Sequence, residues 1–302
     1  MALPADPRGY AAPAGAPALH ENRSGTCGCG RMTGPFDTHS HIQDPKLAGD
    51  FEGIVQRALE AGLAGIAVCG YDGPSNAAAL ELASRSPILF PAVGFHPHEA
   101  DGVSPAMLAE LESIAALPEV VAVGEIGLDS YRHHSTGANQ RRLLDEQLAI
   151  ALRVGKPVCV HTRAAESVAI EHLGPFAERA RAAGLDHPGV MHCFGGTLEQ
   201  ALPYVSAGFL ISVACTITYP KNDEAARLVR GLPLEALVIE TDSPYLPPQG
   251  RRGQLNEPAY VIEAAKAIAS LRGEPLECVL EVTTHNAARL FRLPVLQPAV
   301  TR

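Results

Sequence analysis

A chain of 302 residues is long enough for one large domain or two ordinary ones. With 46% hydrophobic and 19% charged residues it is too apolar for a disordered chain and rich enough for a large core. The 24 Lys and Arg stand against 33 Asp and Glu, a formal charge of -9, which excludes a broad basic grip on nucleic acid. A small cationic site is still allowed, because bound divalent ions can supply the positive charge a phosphate needs.

Residues 1–33 are rich in Pro, Ala and Gly without helical or strand periodicity, and read as a disordered extension or as a start misassigned upstream of Met32. They lack the basic start and apolar core of a signal peptide, and no apolar run in the chain approaches the roughly 18 to 20 residues that cross a bilayer. A cytoplasmic protein with no membrane partner is expected, and no obligate protein partner is inferred. The seven cysteines (27, 29, 69, 159, 193, 215 and 278) are odd in number and lack framework spacing, which fits a reducing compartment. Cys27-Gly-Cys29 offers only two of the ligands that a structural zinc site requires.

From Pro35 onward, short β-branched or apolar runs alternate with longer helical patterns. In chain order the predicted strands are Phe36 to Ile42, Gly65 to Gly70, Ile88 to Gly94, Val120 to Leu128, Pro157 to Thr162, Gly189 to Phe194, Phe209 to Val213 and Ala236 to Thr241. A helix is expected after each. Over Ala138 to Val154, for example, Leu144, Leu148 and Leu152 make one apolar stripe. Eight such units are the count of a closed (β/α)8 TIM-type barrel, a single domain over residues 34–294 followed by a tail at 295–302. A doubly wound sheet would need a glycine-rich first βα turn, where this chain has His-Ile-Gln-Asp-Pro.

A barrel of this kind keeps its chemistry at the C-terminal ends of its strands, and the ligand-type residues fall there. His39 and His41 alternate along the first strand and share a face, so they can hold one ion. His96 and His98 follow the third strand. Glu125 is a carboxylate in an apolar strand, which must be paired, protonated or bound to a cation, and a bridging ligand meets that demand. Asp129 either caps the following loop or fixes Arg132. His161 and Arg163 share a face, an imidazole for a metal beside a guanidinium for anionic oxygens. His192 ends the sixth strand, and Cys193 should turn to the opposite face as a small core residue. Asp242 is left at the mouth by Pro244 and can serve as a metal ligand and general base, or as a turn cap. The mixed imidazole and carboxylate set suits Zn, Mn, Co or Mg and points to a hydrolase that activates water on one or two divalent ions.

Six segments together carry a family resemblance: Phe-Asp-Thr-His-Ser-His (36–41), Val-Gly-Phe-His-Pro-His (93–98), Gly-Glu-Ile-Gly-Leu-Asp (124–129), Val-His-Thr-Arg (160–163), Met-His-Cys-Phe-Gly-Gly (191–196) and Glu-Thr-Asp-Ser-Pro-Tyr-Leu (240–246). Over about Phe36 to Phe291 the chain resembles the TatD family of metal-dependent deoxyribonucleases, within the amidohydrolase superfamily. The resemblance implies two divalent ions, one held by His39, His41 and Glu125 with Asp242 beside it, the other by Glu125, His161 and His192. It makes His96 a contact to the scissile phosphate, with Arg163 helping to neutralise it. The implied substrate is DNA, single-stranded or at its ends, hydrolysed in the 3′ to 5′ direction. Some relatives instead cleave the ester of D-aminoacyl-tRNA, and the wider superfamily opens lactones and amides; a metal-binding barrel without turnover is a third reading. Two positions depart from the common pattern: Gln254-Leu255 replace a basic pair before Asn256-Glu257-Pro258, with Arg251 and Arg252 close by, and Ser130 stands where an aromatic is common.

Overall fold

The computed structural model describes residues 34–293. The expected extension at 1–33, with Met32 and the Cys27/Cys29 pair, and the tail at 295–302 lie outside the described residues. Eight parallel strands run in sequence order: β1 (Phe36–Ser40), β2 (Gly65–Cys69), β3 (Leu89–Val93), β4 (Ala122–Asp129), β5 (Val158–Arg163), β6 (Gly189–His192), β7 (Leu210–Ala214) and β8 (Leu237–Glu240). Between them lie helices whose apolar faces pack on the outer side of the strands, as the alternating pattern requires. The first unit carries a short extra turn, Pro45–Ala48, ahead of Phe51–Glu60, and the last carries two helices, Val261–Arg272 and Leu276–Leu290, so the described residues hold ten α-helices where eight were expected. None is long and apolar enough to cross a membrane.

The sheet closes where β1 meets the loop after β8. Ser40 bridges to Ser243, the His41 N–H donates to the Ser243 carbonyl at 2.7 Å, and the Asp242 N–H donates to the His39 carbonyl at 3.0 Å. The seam of the barrel is therefore made from the residues around the expected metal ligands. The lower interior is filled by Phe36, Ala67, Cys69, Ala92, Ala122, Cys159, Val190, Leu210 and Val238, with Phe291 packed against the Phe36 ring. Most of these side chains are small, which leaves the upper interior to polar groups.

Strand β4 departs from simple alternation. Its register with β5 runs Val123 to Val158 and then Ile126 to Val160, so β4 holds one extra residue at Gly124-Glu125. Val123 and Ile126 both belong to the helix-facing core. Strict period-two counting from Val123 would send Glu125 outward, and the bulge re-aims it into the barrel. The local glycines follow from the same crowding. A Cβ at Gly124 would lie 2.5 Å from the Cys159 Cβ, and one at Gly127, whose φ is +148°, would lie 1.9 Å from the His161 carbonyl oxygen. The strand also runs on to Asp129, so Glu125 sits mid-strand and not at its end as expected.

Candidate metal centre

Glu125 is buried at the centre of five imidazoles. Its Oε2 lies 3.4 Å from His39 Nε2 and 3.5 Å from His41 Nε2, while its Oε1 lies 3.1 Å from His161 Nδ1, 3.5 Å from His96 Nε2 and 3.8 Å from His192 Nε2. One carboxylate oxygen thus faces each half of the cluster. The alternation read from the first strand does bring its two histidines together, with Nε2 atoms 3.2 Å apart, although β1 ends at Ser40 and His41 is held by the seam. Asp242 Oδ1 closes the group at 3.6 Å from His41 Nε2 and 3.8 Å from His192 Nε2.

These atoms fit a divalent ion. Ligands bound at about 2.1 Å to a tetrahedral zinc stand about 3.4 Å from one another, the spacing seen between His39, His41 and Glu125. Three overlapping sets of ligand atoms come close together: His39, His41 and Glu125; His96, Glu125 and His161; and His39, His192 and Asp242. His96 Nε2, at 3.5 Å from Glu125 Oε1, stands slightly closer than His192 Nε2 at 3.8 Å, and His192 stacks on His39 with ring centres 3.5 Å apart.

The electrostatics describe a site that favours positive charge. Burial and the neighbouring His192 hold His39 down to about 4, and burial holds His96 down to about 3. Burial also opposes a proton on His192, yet the Glu240 carboxylate overrides it and pushes the pKa up to about 10. His41 and His161 are raised against the same burial penalty, by Glu125 and by Asp129 with Glu125. Burial raises Asp242 to about 6, whereas Glu125 is held well below the carboxylate range by its imidazoles in spite of burial. Carboxylates that favour a proton on these rings favour any cation in the same place.

Asp129 resolves its two expected roles in favour of the loop. Its Oδ1 accepts the backbone N–H groups of Tyr131 and Arg132, both at 2.8 Å, while its Oδ2 lies 2.8 Å from His98 Nε2 and 3.5 Å from His161 Nε2. It thereby orients His161 from behind. Arg163 packs over the Tyr131 ring at 4.0 Å, and the Arg132 guanidinium lies 5.7 Å from the same ring. Near the departing Gln254-Leu255 segment, Arg251 and Arg252 stack on Tyr260 and Tyr219.

One reading of the sequence needs revision, and one residue enters that the sequence reading left out. Cys193 does not enter the core: its φ is +42°, its side chain is half-buried, and its N–H donates to Glu240 Oε1 at 2.7 Å. Glu240 was assigned no role, yet it is fully buried and lies 3.0 Å from His192 Nδ1. The signal was present, because Leu-Val-Ile-Glu places a carboxylate in an apolar strand just as the Glu125 segment does.

An eight-stranded barrel whose strand ends converge on histidines and carboxylates fitted to a divalent ion defines a metal-dependent hydrolase. The family model for TatD related DNase matches residues 36–292, and the chain belongs to that family. The Bacillus subtilis (strain 168) protein YabD, named an uncharacterized metal-dependent hydrolase, is 34% identical over 258 residues, covering 85% of this chain and 99% of its own. A 3′-5′ ssDNA/RNA exonuclease TatD from Edwardsiella piscicida is 35% identical over 264 residues, again 85% of this chain and 99% of the relative. The crystal structure of YjjV, a TatD homologue from Escherichia coli K12, superposes with a TM-score of 0.79 at 35% identity, over 86% of this chain and 98% of the other.

Proposed function

We propose that the protein is a metal-dependent 3′–5′ exodeoxyribonuclease that releases nucleotides from single-stranded DNA ends. The observation that carries this reading is the position of Glu125, whose two oxygens face two separate groups of imidazoles. His39, His41, Glu125 and Asp242 would hold one ion, and Glu125 with His161 and His192 a second, with His192 Nε2 within 3.8 Å of both Glu125 and Asp242. Bound there, divalent ions supply positive charge to the scissile phosphate and lower the pKa of the attacking water.

The chain's own residues do the rest. Asp242 keeps 14% of its side chain exposed where the Glu125 side chain keeps 5%, so it is the carboxylate that both touches the cluster and reaches the mouth. It takes the proton of the attacking water and delivers it towards the leaving oxygen. His96, low in pKa and neutral, presents Nε2 beside Glu125 and contacts the phosphate. Asp129 holds His161 and the backbone of Arg132 in place, and Arg163 with Arg132 adds cationic charge at the rim for phosphate oxygens. The exonuclease names of the relatives support a polynucleotide substrate.

The test is release of mononucleotides from a 3′-labelled single strand by purified protein, with and without chelator, beside Asp242→Asn. Metal-dependent release that the substitution lowers by roughly 100-fold or more is expected. Intact DNA together with cleavage of a D-aminoacyl-tRNA ester would replace this reading with the deacylase. Inertness towards both in protein loaded with metal would leave a binding barrel.

A further inference from the structure

Aromatic residues are scarce, at 5% with no Trp, and among the described residues the exposed ones are Tyr131, 59% exposed, and Tyr245, 43% exposed. A single exposed ring needs no explanation, but these two are placed and held alike. Tyr131 follows β4 and Tyr245 follows β8, and in an eight-stranded barrel those strands stand on opposite sides of the mouth. Each backbone is tied to a carboxylate residue of the cluster: the Tyr131 N–H donates to Asp129 Oδ1 and the Tyr245 N–H to the Asp242 carbonyl, both at 2.8 Å. Each ring also carries a cation, the Arg163 guanidinium at 4.0 Å from Tyr131 and Lys46 Nζ at 4.5 Å from Tyr245. The Tyr245 hydroxyl is fixed by donation to Asp44 Oδ2 at 2.8 Å.

A ring anchored through its backbone, open to solvent and paired with a positive charge matches one nucleotide unit, a base face beside a phosphate. We propose that Tyr131 and Tyr245 are stacking platforms that hold unpaired bases on either side of the scissile phosphate, and that this contact selects single strands. The proposal rests on the phosphodiesterase reading above. A base paired within a duplex keeps its faces against its neighbours and cannot lie flat on either ring.

The experiment uses full-length, metal-loaded protein and oligothymidylates that carry one abasic residue at successive positions from the 3′ end. In the parent protein, removing the base nearest either ring raises KM by roughly 5- to 150-fold, the range that stacking on an aromatic spans. Tyr131→Ala and Tyr245→Ala each raise KM on the intact strand and abolish the penalty at one abasic position, a different one for each variant. Tyr131→Phe keeps the parent's abasic penalty. Equal losses on intact and abasic strands in the Ala variants, or a parent indifferent to every abasic position, would overturn the proposal. Equilibrium binding of a fluorescein-labelled, hydrolysis-resistant phosphorothioate strand separates it from the reaction assigned above. Base-dependent binding without hydrolysis keeps the platforms and removes the nuclease, whereas hydrolysis with base-independent binding does the reverse.

Discussion

A histidine that offers one ring nitrogen to a cation needs the other nitrogen fixed, or the ring turns away. For His192 the fixing group is Glu240, whose Oε1 lies 3.0 Å from Nδ1 and also accepts the N–H of Cys193. Neither contact needs the neighbouring strands to move, so Glu240→Gln should leave the barrel intact and weaken the metal centre. The expected loss is about 10- to 100-fold in metal affinity, read by titrating the metal-free protein with Co²⁺ and following its visible absorption; an unchanged affinity would show that His192 needs no such partner. The residues legible in the sequence were those that face the cluster from a strand or from the residue just past its end, because strand periodicity and ligand chemistry point the same way at His39, His41, His161 and His192. Glu240 is harder to read, because Asp242 two residues on offers a ligand from the same segment. Cys193 departs from the expected core position because alternation stops at His192: a φ of +42° turns the chain out of the strand, and nothing in Met-His-Cys-Phe announces that turn.

Among the elements, β4 decides whether the centre can form. The run of alternating strand and helix patterns made the eight strands readable to within a few residues, since each is an apolar run bounded by turn signals. The bulge at Gly124-Glu125 was not readable, because it arises from how β4 lies on β5 rather than from either strand alone. Gly127 shows what that contact demands: any Cβ there meets the His161 carbonyl, part of a backbone that cannot step aside. Gly127→Ala should therefore cost at least about 2 kcal/mol of stability, seen as a lower urea midpoint with an unchanged slope. Gly49→Ala is the contrasting case. Its φ of -71° suits an L-residue and its Cβ would meet nothing within 4 Å, so a gain of about 0.4 to 1 kcal/mol is expected from the less flexible unfolded chain. A Gly127→Ala protein as stable as its parent would remove the proposed constraint on β4.

For the whole molecule, the metal centre and the closure of the barrel are one structure. The backbone hydrogen bonds that join β1 to the segment after β8 are made by His39, His41, Asp242 and Ser243, three of which are candidate ligands. A cation held by those side chains binds the closed barrel and finds no equivalent arrangement in the unfolded chain, so it stabilises the fold by mass action. At free metal about 100 times its dissociation constant, one ion contributes about 2.7 kcal/mol. In a domain of this size each kcal/mol moves the melting temperature by about 2–4 °C, so a chelator should lower Tm by about 5–10 °C per ion. The loosening should begin at the seam. In the metal-free protein the His41 and Asp242 amides, which cross it, should exchange with solvent faster than amides of β2 and β3, whose ladder carries none of the ligands. Asp242→Asn removes one anionic ligand without removing the backbone bond to His39, so it should shrink the chelator-induced shift and leave the exchange pattern of the metal-free state unchanged. A Tm indifferent to chelator would mean that closure is complete without the ion and that the centre serves the reaction alone.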